Sequence, residues 1–250
     1  MPLAKIRIKM HLIQVINPNT SVNITNVIQK AACAVAFAGT KIIAVSPCQG
    51  ISSIEGHFDE AIATMCVLEQ IKQGKERGVH GHIIACFGDP GLLAAREFAD
   101  GPVIGIAEAA MHIASLIATR FSIITTLPRT FNIIRNLLQR YGFISQCVAL
   151  HAINMPVLSL EDDSVYQKVY ELCLKVKQKD GSGAIVLGCS GMANLASKLT
   201  KVLGVPVIDG VSSAVKLVES VLSLGISTSK HGDLAYPLPK KITGYFEALN

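Results

Sequence analysis

Two cysteines occupy equivalent places in the sequence. Cys86, in "ACFGDPGL", and Cys189, in "LGCSGMA", each end a short apolar run and are followed within two residues by glycine. Glycine lets backbone N–H groups approach a ligand without side-chain obstruction, and a helix that begins there turns its positive end toward the sulfur. Both effects favour the thiolate over the thiol. The pattern predicts a pair of reactive thiols rather than two packing residues.

Two thiols that flank one carbon atom suit a specific chemistry. One, as a thiolate, removes a proton from a carbon next to a carbonyl, and the other, as a thiol, delivers a proton to the opposite face. The product is the mirror image of the substrate. Glycine-rich backbone amides, with the side chains of Ser190, Thr125 and Thr126, are suitable donors for the developing enolate. No metal and no organic cofactor is required.

The other five cysteines carry weaker signals. Four lie on apolar helical faces or in a strand, and we assign them to packing: Cys33, Cys66, Cys147 and Cys173. Cys48, in the loop "SPCQG", remains ambiguous, and with Gln49 it is expected to line the pocket.

Competing motifs fit less well. "HGHIIAC" places His80, His82 and Cys86 on one side of a strand, but His80 precedes the strand, so we predict no metal site. The glycine motifs lack the spacing of a dinucleotide site or a phosphate loop. "GCSGM" is close to the serine hydrolase elbow, but no clear triad follows Ser190.

The cysteines are positioned by alternating strands and helices, the pattern of a parallel sheet covered by helices, which predicts an α/β fold. Eight strands are predicted: Leu12–Ile16, Lys41–Val45, His82–Cys86, Pro102–Ile106, Phe121–Thr125, Cys147–Ile153, Ala184–Gly188 and Pro206–Ile208. Four segments have helical period: "HFDEAIATMCVLEQIKQG", "EAAMHIASLIATR", "TFNIIRNLLQRYG" and "DSVYQKVYELCLKVKQKDG".

The two halves of the chain repeat one another. After each reactive cysteine the chain runs through a turn and a helix to a similar segment, "GPVIGIAEAA" or "GVPVIDGVSSA". Ligands of open α/β sheets bind at the carboxyl edge of the strands. Two such edges facing each other bring the two thiols to one cleft.

Composition excludes several classes of partner. The chain has 250 residues, half of them hydrophobic, and no run approaches the roughly 18 apolar residues of a membrane span. The net charge of +5 is scattered, which argues against nucleic-acid binding. The start predicts a short basic tail before the first strand rather than a signal peptide. Seven cysteines without framework spacing suit a reducing cytoplasm.

Six motifs together resemble the Asp/Glu/hydantoin racemase superfamily, within it the hydantoin racemase group that includes allantoin racemases. They are "VINPNTS", "SIEGHFDEA", "ACFGDPGL", "PVIGIAEAA", "ITTLPRT" and "LGCSGMA". Each is weak alone, but their order and spacing are specific.

The resemblance implies two pseudo-twofold-related domains with the active site between them, residues 1–101 with 208–250 in the first and 102–207 in the second. It implies cofactor-free catalysis by Cys86 and Cys189. Substrate contacts are expected from seven residues: Asn17, Phe87, Gly88, Thr125, Thr126, Ser190 and Gly191. In "NPNTS" we also expect a helix cap at Asn19 or Thr20.

The expected substrate is a cyclic ureide, a 5-substituted hydantoin such as allantoin. An aspartate or glutamate racemase, a decarboxylase or a cis-trans isomerase of the same superfamily is the alternative, and outside enzymes a module that senses a metabolite. We expect a homo-oligomer. The ending "SKHGDLAYPLPKKITG" is expected to cap the first domain or to join an oligomer contact.

Overall fold

The computed structural model describes residues 10–161 and 164–249, with the backbone alone for residues 161, 245 and 248. The predicted basic tail, residues 1–9, lies outside the described residues, as does residue 163 at the start of one predicted helix.

The first sheet is parallel, in the order β2-β1-β3-β4. Its strands are β1 (His11–Ile16), β2 (Thr40–Val45), β3 (Gly81–Ile84) and β4 (Val103–Gly105). Both β3 and β4 are buried along their whole length, because helices cover the sheet.

The second sheet repeats this arrangement in the order β6-β5-β7-β8, again entirely parallel. Its strands are β5 (Phe121–Thr125), β6 (Cys147–Ala152), β7 (Ala184–Leu187) and β8 (Val207–Asp209). The two sheets have equivalent strand orders, in which β1, β2, β3 and β4 correspond to β5, β6, β7 and β8. The predicted internal repeat is therefore confirmed. All eight predicted strands are present, with ends that differ by at most two residues.

Within the described residues, eight α-helices connect and cover the strands. They are α1 (Val22–Val35), α2 (His57–Glu76), α3 (Leu92–Phe98), α4 (Ile106–Ile117), α5 (Phe131–Arg140), α6 (Ser164–Lys179), α7 (Ala196–Leu203) and α8 (Gly210–Ser223). A 3-10 helix, Ser190–Leu195, precedes α7. The four predicted helical segments correspond to α2, α4, α5 and α6.

Helix α1 begins one or two residues later than "NPNTS" predicted. Ser21 is its N-cap, and the side-chain oxygen of Ser21 accepts from the backbone N–H of Ile24. Asn19 is not the cap, since its Oδ1 accepts from the N–H of Ser21 in the preceding turn. The prediction of a cap at Asn19 or Thr20 is wrong, because the turn itself uses the Asn19 side chain.

Helices α4 and α8 follow equivalent strands and pack closely against each other. They are in close contact at Gly210, where a Cβ would collide with the backbone oxygen of Ile106. Helix α8 also packs against β1, β3 and β4 of the first sheet. The chain therefore returns to the first sheet after completing the second.

Strand pairing locates the change of sheet. Val103–Gly105 pairs with β3 in the first sheet, and Val207–Asp209 pairs with β7 in the second. The predicted domain boundaries lie at residues 101/102 and 207/208. They separate all of β4 and part of β8 from the sheet in which each strand pairs, because the chain changes sheet after these strands rather than before them. The division into two domains stays a prediction.

The C-terminal segment contacts the end of α3, where Lys230 Nζ donates to the backbone oxygens of Arg96 and Glu97.

Candidate active site

The two cysteines lie at matching positions beyond two matching strands. Cys86 is two residues past the end of β3, and Cys189 is two residues past the end of β7. Both line one cavity, together with residues that follow β5 and residues from the segment before and within α2. The prediction that the repeat brings the two thiols to one site agrees with this placement.

The cavity wall is mostly apolar, with polar groups at a few positions. Its lining consists of Asn19, Ile24, Ile54, Glu55, Gly56, Glu60, Ala85, Cys86, Phe87, Gly88, Thr125, Thr126, Thr130, Ile133, Ile134, Val157, Gly188, Cys189 and Ser190. Seven of the nine predicted site residues are among them. Lysine, arginine and histidine are absent from this set of described residues, although the Arg129 guanidinium packs against Gly56 at the rim.

Each sulfur receives one backbone N–H from a glycine two residues further along. The N–H of Gly88 donates to Cys86 and the N–H of Gly191 donates to Cys189, and each bond lowers the pKa of its thiol. Burial acts more strongly in the other direction: it raises the pKa of Cys86 far above the ordinary value and that of Cys189 to about 11. The glycine N–H groups act in the expected direction, but burial outweighs them, so the net pKa shift of both thiols is upward rather than toward the thiolate.

Two carboxylates, which we did not predict, face the thiols. The negative charge of Glu60 raises the pKa of Cys86, and that of Glu55 raises the pKa of Cys189. Glu55 Oε1 accepts from the backbone N–H of Val157, which ties the segment before α2 to the second half of the chain. Glu60 Oε2 lies 3.2 Å from His57 Nδ1.

Two threonines end the central strand of the second sheet. Thr125 Oγ1 lies 3.2 Å from Thr130 Oγ1 and 3.3 Å from the backbone oxygen of Gly188, so its hydroxyl is held against the wall. Thr126 lines the cavity beside it. Both stand where the sequence placed them, at the carboxyl edge of β5.

Two of the residues predicted to contact substrate, Asn17 and Gly191, do not line the cavity. Asn17 is fully buried and does not line the cavity, because its Nδ2 lies within hydrogen-bond distance of three acceptors in the turn and α1: Asn19 Oδ1, the backbone oxygen of Ser21 and Thr25 Oγ1. Asn19 lines the cavity in its place. Gly191 contributes to the site by donating its backbone N–H to the Cys189 sulfur, although it is not a lining residue.

The remaining cysteines differ from the predictions in two places. Cys33 is exposed rather than packed, because its side of α1 faces solvent, whereas Cys66 and Cys173 are buried as predicted. Cys48 is exposed and lies away from the cavity wall, while Gln49 lines a different groove against α2.

Of the two histidines of "HGHIIAC", His80 is exposed, whereas His82 belongs to the interior of the first half. His82 is buried beside Gly74 of α2, and its neighbour in the sheet is Gln14 of β1. Burial lowers the pKa of His82 to about 4. Among residues 10–161 and 164–249, no cluster of three His, Cys, Asp or Glu side chains has the geometry to hold a metal ion.

Comparison with known proteins identifies the family. The sequence model described as Asp/Glu/Hydantoin racemase matches residues 13–218. The chain belongs to this family. It is 47% identical to a hydantoin racemase from Rhizobium meliloti, over 94% of this chain and 98% of that protein.

Solved structures of family members have the same fold. An allantoin racemase from Klebsiella pneumoniae superposes with a TM-score of 0.95 at 64% identity, over 96% of this chain and 99% of that one. An allantoin racemase from Pseudomonas fluorescens gives 0.88 at 36% identity, over 93% and 100%. This family member is thus an α/β racemase, an isomerase. Across the described ranges, the helices are too short or too polar to span a membrane.

Proposed function

We propose that the protein interconverts the enantiomers of 5-substituted hydantoins, with Cys86 and Cys189 acting on opposite faces of ring carbon 5. The observation that carries the proposal is the placement of both thiols in one cavity, each two residues beyond an equivalent strand and each bonded to a glycine N–H. Equivalent groups related by the internal repeat suit a reaction whose substrate and product are mirror images.

Protons balance in this cycle without an external reagent. One cysteine, as thiolate, takes the proton from carbon 5 and becomes a thiol, which leaves an enolate conjugated with the ring carbonyl. The other thiol gives its proton to the opposite face of carbon 5 and becomes a thiolate. Negative charge on Cys189 raises the pKa of Cys86, so ionisation of one thiol keeps the other protonated.

The enolate is expected to be stabilised by hydrogen-bond donors at the strand ends. Thr126 and Ser190 line the cavity next to the cysteines and carry hydroxyl donors. The Gly88 and Gly191 N–H groups stabilise whichever sulfur is ionised. All of these donors belong to the chain, so the proposal includes no metal or organic cofactor.

Charge in the cavity favours a neutral substrate over an amino acid. Glu55 and Glu60 line it, whereas lysine and arginine are absent from its described lining. A free carboxylate would be repelled there, but the N–H groups of a cyclic ureide can donate to these carboxylates. The hydantoin and allantoin racemases among its relatives support the same substrate class.

The proposal also places the protein in a reducing cytoplasm, as a homo-oligomer of two-domain subunits. All seven cysteines are free thiols, which suits that compartment.

Racemisation in heavy water tests the mechanism. We expect one enantiomer of allantoin or a 5-alkyl hydantoin to lose optical rotation, with the opposite enantiomer carrying solvent deuterium from its first appearance. The remaining starting enantiomer should keep its hydrogen early in the reaction. A protein that only senses a metabolite would leave both the optical rotation and the deuterium content unchanged.

Single substitutions separate the two bases. Cys86→Ser and Cys189→Ser should each lower racemisation by roughly 10²-fold or more, because each removes one proton-transfer group. Each variant should still exchange the carbon-5 hydrogen of one enantiomer, and the two variants should favour opposite enantiomers. Cys33→Ser, at an exposed thiol, is the matched control and should keep full activity. Full racemisation by either active-site variant would refute the two-base assignment.

A further inference from the structure

The cavity that contains the two sulfurs is small for the proposed substrate. It encloses about 50 Å³, which is room for a few water molecules. Cavities that hold small ligands typically enclose about 300–1,000 Å³. A hydantoin ring, with its two carbonyl groups and its substituent at carbon 5, therefore enters when part of the cavity wall moves.

One part of the wall comes from residues 155–160, which follow β6 and which we refer to as the cover segment. Val157 lines the cavity and is buried. Leu160 packs over Gly191, where a Cβ would lie 2.8 Å from Leu160 Cδ1 and 3.7 Å from Cys189 Sγ. The cover segment thus lies beside Cys189, the reactive cysteine of the second half.

The cover segment is bonded to both halves of the chain. At its start, the N–H of Met155 donates to the backbone oxygen of Thr126, 3.2 Å away, in the second half. Two residues later, the N–H of Val157 donates a 2.7 Å hydrogen bond to Glu55 Oε1 in the first half. Glu55 and Val157 both line the cavity, so this bond closes the wall where the two halves meet.

Glu55 accepts this bond from a fixed position. Its backbone N–H donates to Asp59 Oδ2 in the first turn of α2, 2.8 Å away, so the residue is anchored to that helix. Beside it, the Arg129 guanidinium of the second half packs against Gly56, where a Cβ would lie 3.0 Å from Nη2. The bond between Glu55 and the cover segment can therefore break and re-form without disturbing α2.

The donor is one that the local structure leaves free. A 3-10 helix begins at Val157, and a turn bond runs there from the N–H of Ser159 to the backbone oxygen of Pro156. The N–H of the first helical residue has no acceptor within its own helix. Glu55 supplies the acceptor that this N–H lacks in its own segment.

Building on the proposed racemase function, we propose that Glu55 is a positioning residue that latches the cover segment over Cys189. The bond from the Val157 N–H to the Glu55 carboxylate opens to admit the ring and re-forms around it. In the closed state the Cys189 thiol is shielded from water while the enolate exists. A hydrogen that Cys189 has taken from carbon 5 then stays on its sulfur until it returns to the ring or the enolate is protonated from the other face.

An open latch has a specific isotopic consequence. In heavy water, a Cys189 thiol that is exposed to solvent exchanges its S–H for S–D and releases HOD. Transfer of that deuteron back to the same face of the enolate restores the thiolate and gives a deuterated starting enantiomer. The enantiomer whose proton is removed by Cys86 is not affected, so it serves as an internal control. Opening also exposes the Cys189 sulfur to thiol reagents, which is a readout that requires no turnover.

Two pairs of variants separate the bond from the side chains around it. Val157→Pro removes the N–H donor, and proline is favoured at the first position of a helix, whereas Val157→Ala shortens the side chain and keeps the donor. Glu55→Leu removes the acceptor, whereas Glu55→Gln keeps an oxygen that accepts. Both Glu55 variants remove the charge that raises the pKa of Cys189, so the comparison between them isolates the bond.

We expect iodoacetamide to label Cys189 roughly 10-fold faster in Val157→Pro than in Val157→Ala, and roughly 10-fold faster in Glu55→Leu than in Glu55→Gln. A change of this size is expected for the loss of one hydrogen bond to a carboxylate. Peptide mass spectrometry at one pH measures the rates, with the exposed Cys33 as reference. In heavy water, Val157→Pro and Glu55→Leu should also place several-fold more deuterium in one starting enantiomer of allantoin, per racemisation event, than their paired controls.

The outcomes distinguish this inference from the proposed function. Equal labelling and equal deuterium return within both pairs would overturn the latch, while racemisation by wild type would leave the racemase function standing. If wild type racemises no hydantoin, the proposed function fails, and the labelling rates alone decide whether Glu55 holds the cover segment closed. Should Val157→Pro not fold, the Glu55 pair decides.

Discussion

The hydroxyl of Tyr141 donates a 2.8 Å hydrogen bond to the carboxylate of Asp89. Asp89 is three residues after Cys86, and Tyr141 directly follows α5, so the bond joins the turn after β3 to the helix that follows β5. Asp89 also accepts the backbone N–H groups of Ala107 and Glu108 at the start of α4. One buried carboxylate therefore fixes the turn that carries Cys86 to two neighbouring helices.

Tyr141→Phe should destabilise the protein and reduce activity. Removing the donor leaves a buried carboxylate with fewer hydrogen bonds, so the free energy of unfolding should fall by about 1–3 kcal/mol. Burial raises the pKa of Asp89 to about 7, above its ordinary 3.8, so the stability that this group contributes at low pH is lost as pH rises through 7. The Tyr141 hydroxyl stabilises the ionised form of Asp89, which predominates above pH 7. The loss of unfolding free energy in Tyr141→Phe should therefore be larger at pH 8 than at pH 5.5. Urea unfolding at the two pH values measures it.

Tyr236→Phe is the matched control for that bond, because the Tyr236 hydroxyl donates to Asp100 at the surface. It should change the unfolding midpoint little at either pH. An equal loss in both variants would mean that the Tyr141 bond contributes no more than an exposed one.

The active-site thiols should react slowly near neutral pH. Because burial raises the pKa of both Cys86 and Cys189, iodoacetamide should label the exposed Cys33 and Cys48 first at pH 7.5. Labelling at Cys189 should rise about tenfold per pH unit up to its pKa of about 11, since the thiolate is the nucleophile. Mass spectrometry of peptides from samples quenched between pH 7.5 and 10 measures each site. Fast labelling of either active-site thiol at pH 7.5 would contradict the upward pKa shifts described above.

The same thiols predict the direction of alkaline instability. A thiol whose pKa is raised by folding contributes stability below its ordinary value of 9.0, and that contribution is lost as pH rises toward the folded value. Stability should therefore decrease above about pH 9.

His82 should make the protein less stable in acid. Its pKa is lowered by burial from 6.5 to about 4, so its contribution is present above pH 6.5 and is lost as pH falls toward 4. Across this window the free energy of unfolding should fall by up to about 1.4 kcal/mol per pH unit for this proton. In His82→Leu that part of the slope should disappear, and in His231→Gln, at an exposed histidine, it should persist. Chemical denaturation from pH 7 to 4.5 compares them, and identical slopes in all three proteins would show that His82 does not titrate in this way.

Gly210→Ala should weaken the contact between α4 and α8. Its Cβ would meet the backbone oxygen of Ile106, which cannot move aside as a side chain can. Overpacking of this kind costs about 1–3 kcal/mol, which lowers the melting temperature by several degrees, roughly 2–4 °C per kcal/mol. Gly183→Ala, whose Cβ would lie 3.1 Å from Ala118 Cβ, should cost less. Calorimetry on the two variants checks the order, and a stability of Gly210→Ala equal to wild type would contradict the close approach.

The sequence was most informative where a local pattern determines the geometry. Cys86 and Cys189 are recognisable because each combines the end of an apolar strand with a glycine whose backbone can approach closely. The eight strands follow from β-branched runs in the same way. Each of these patterns involves only residues that are close together in the sequence, so contacts between distant segments do not change it.

The remaining features depend on contacts between distant segments. Glu60 has the appearance of an ordinary acidic residue in the first turn of a helix, and only the approach of Gly88 makes it part of the site. Asn17 and Asn19 are two residues apart in one turn, and hydrogen bonds to Ser21 and Thr25 decide which of them faces the cavity. The sign of the thiol pKa shifts depends on how deeply the assembled halves bury the sulfurs.

Because α8 comes from the last part of the chain and yet covers the first sheet, the order of synthesis differs from the order of assembly. While the nascent chain is shorter than Ser223, the apolar face of β1, β3 and β4 that α8 covers stays open, although these strands were translated long before. Such an open apolar face is prone to aggregation, and it persists until α8 has been translated.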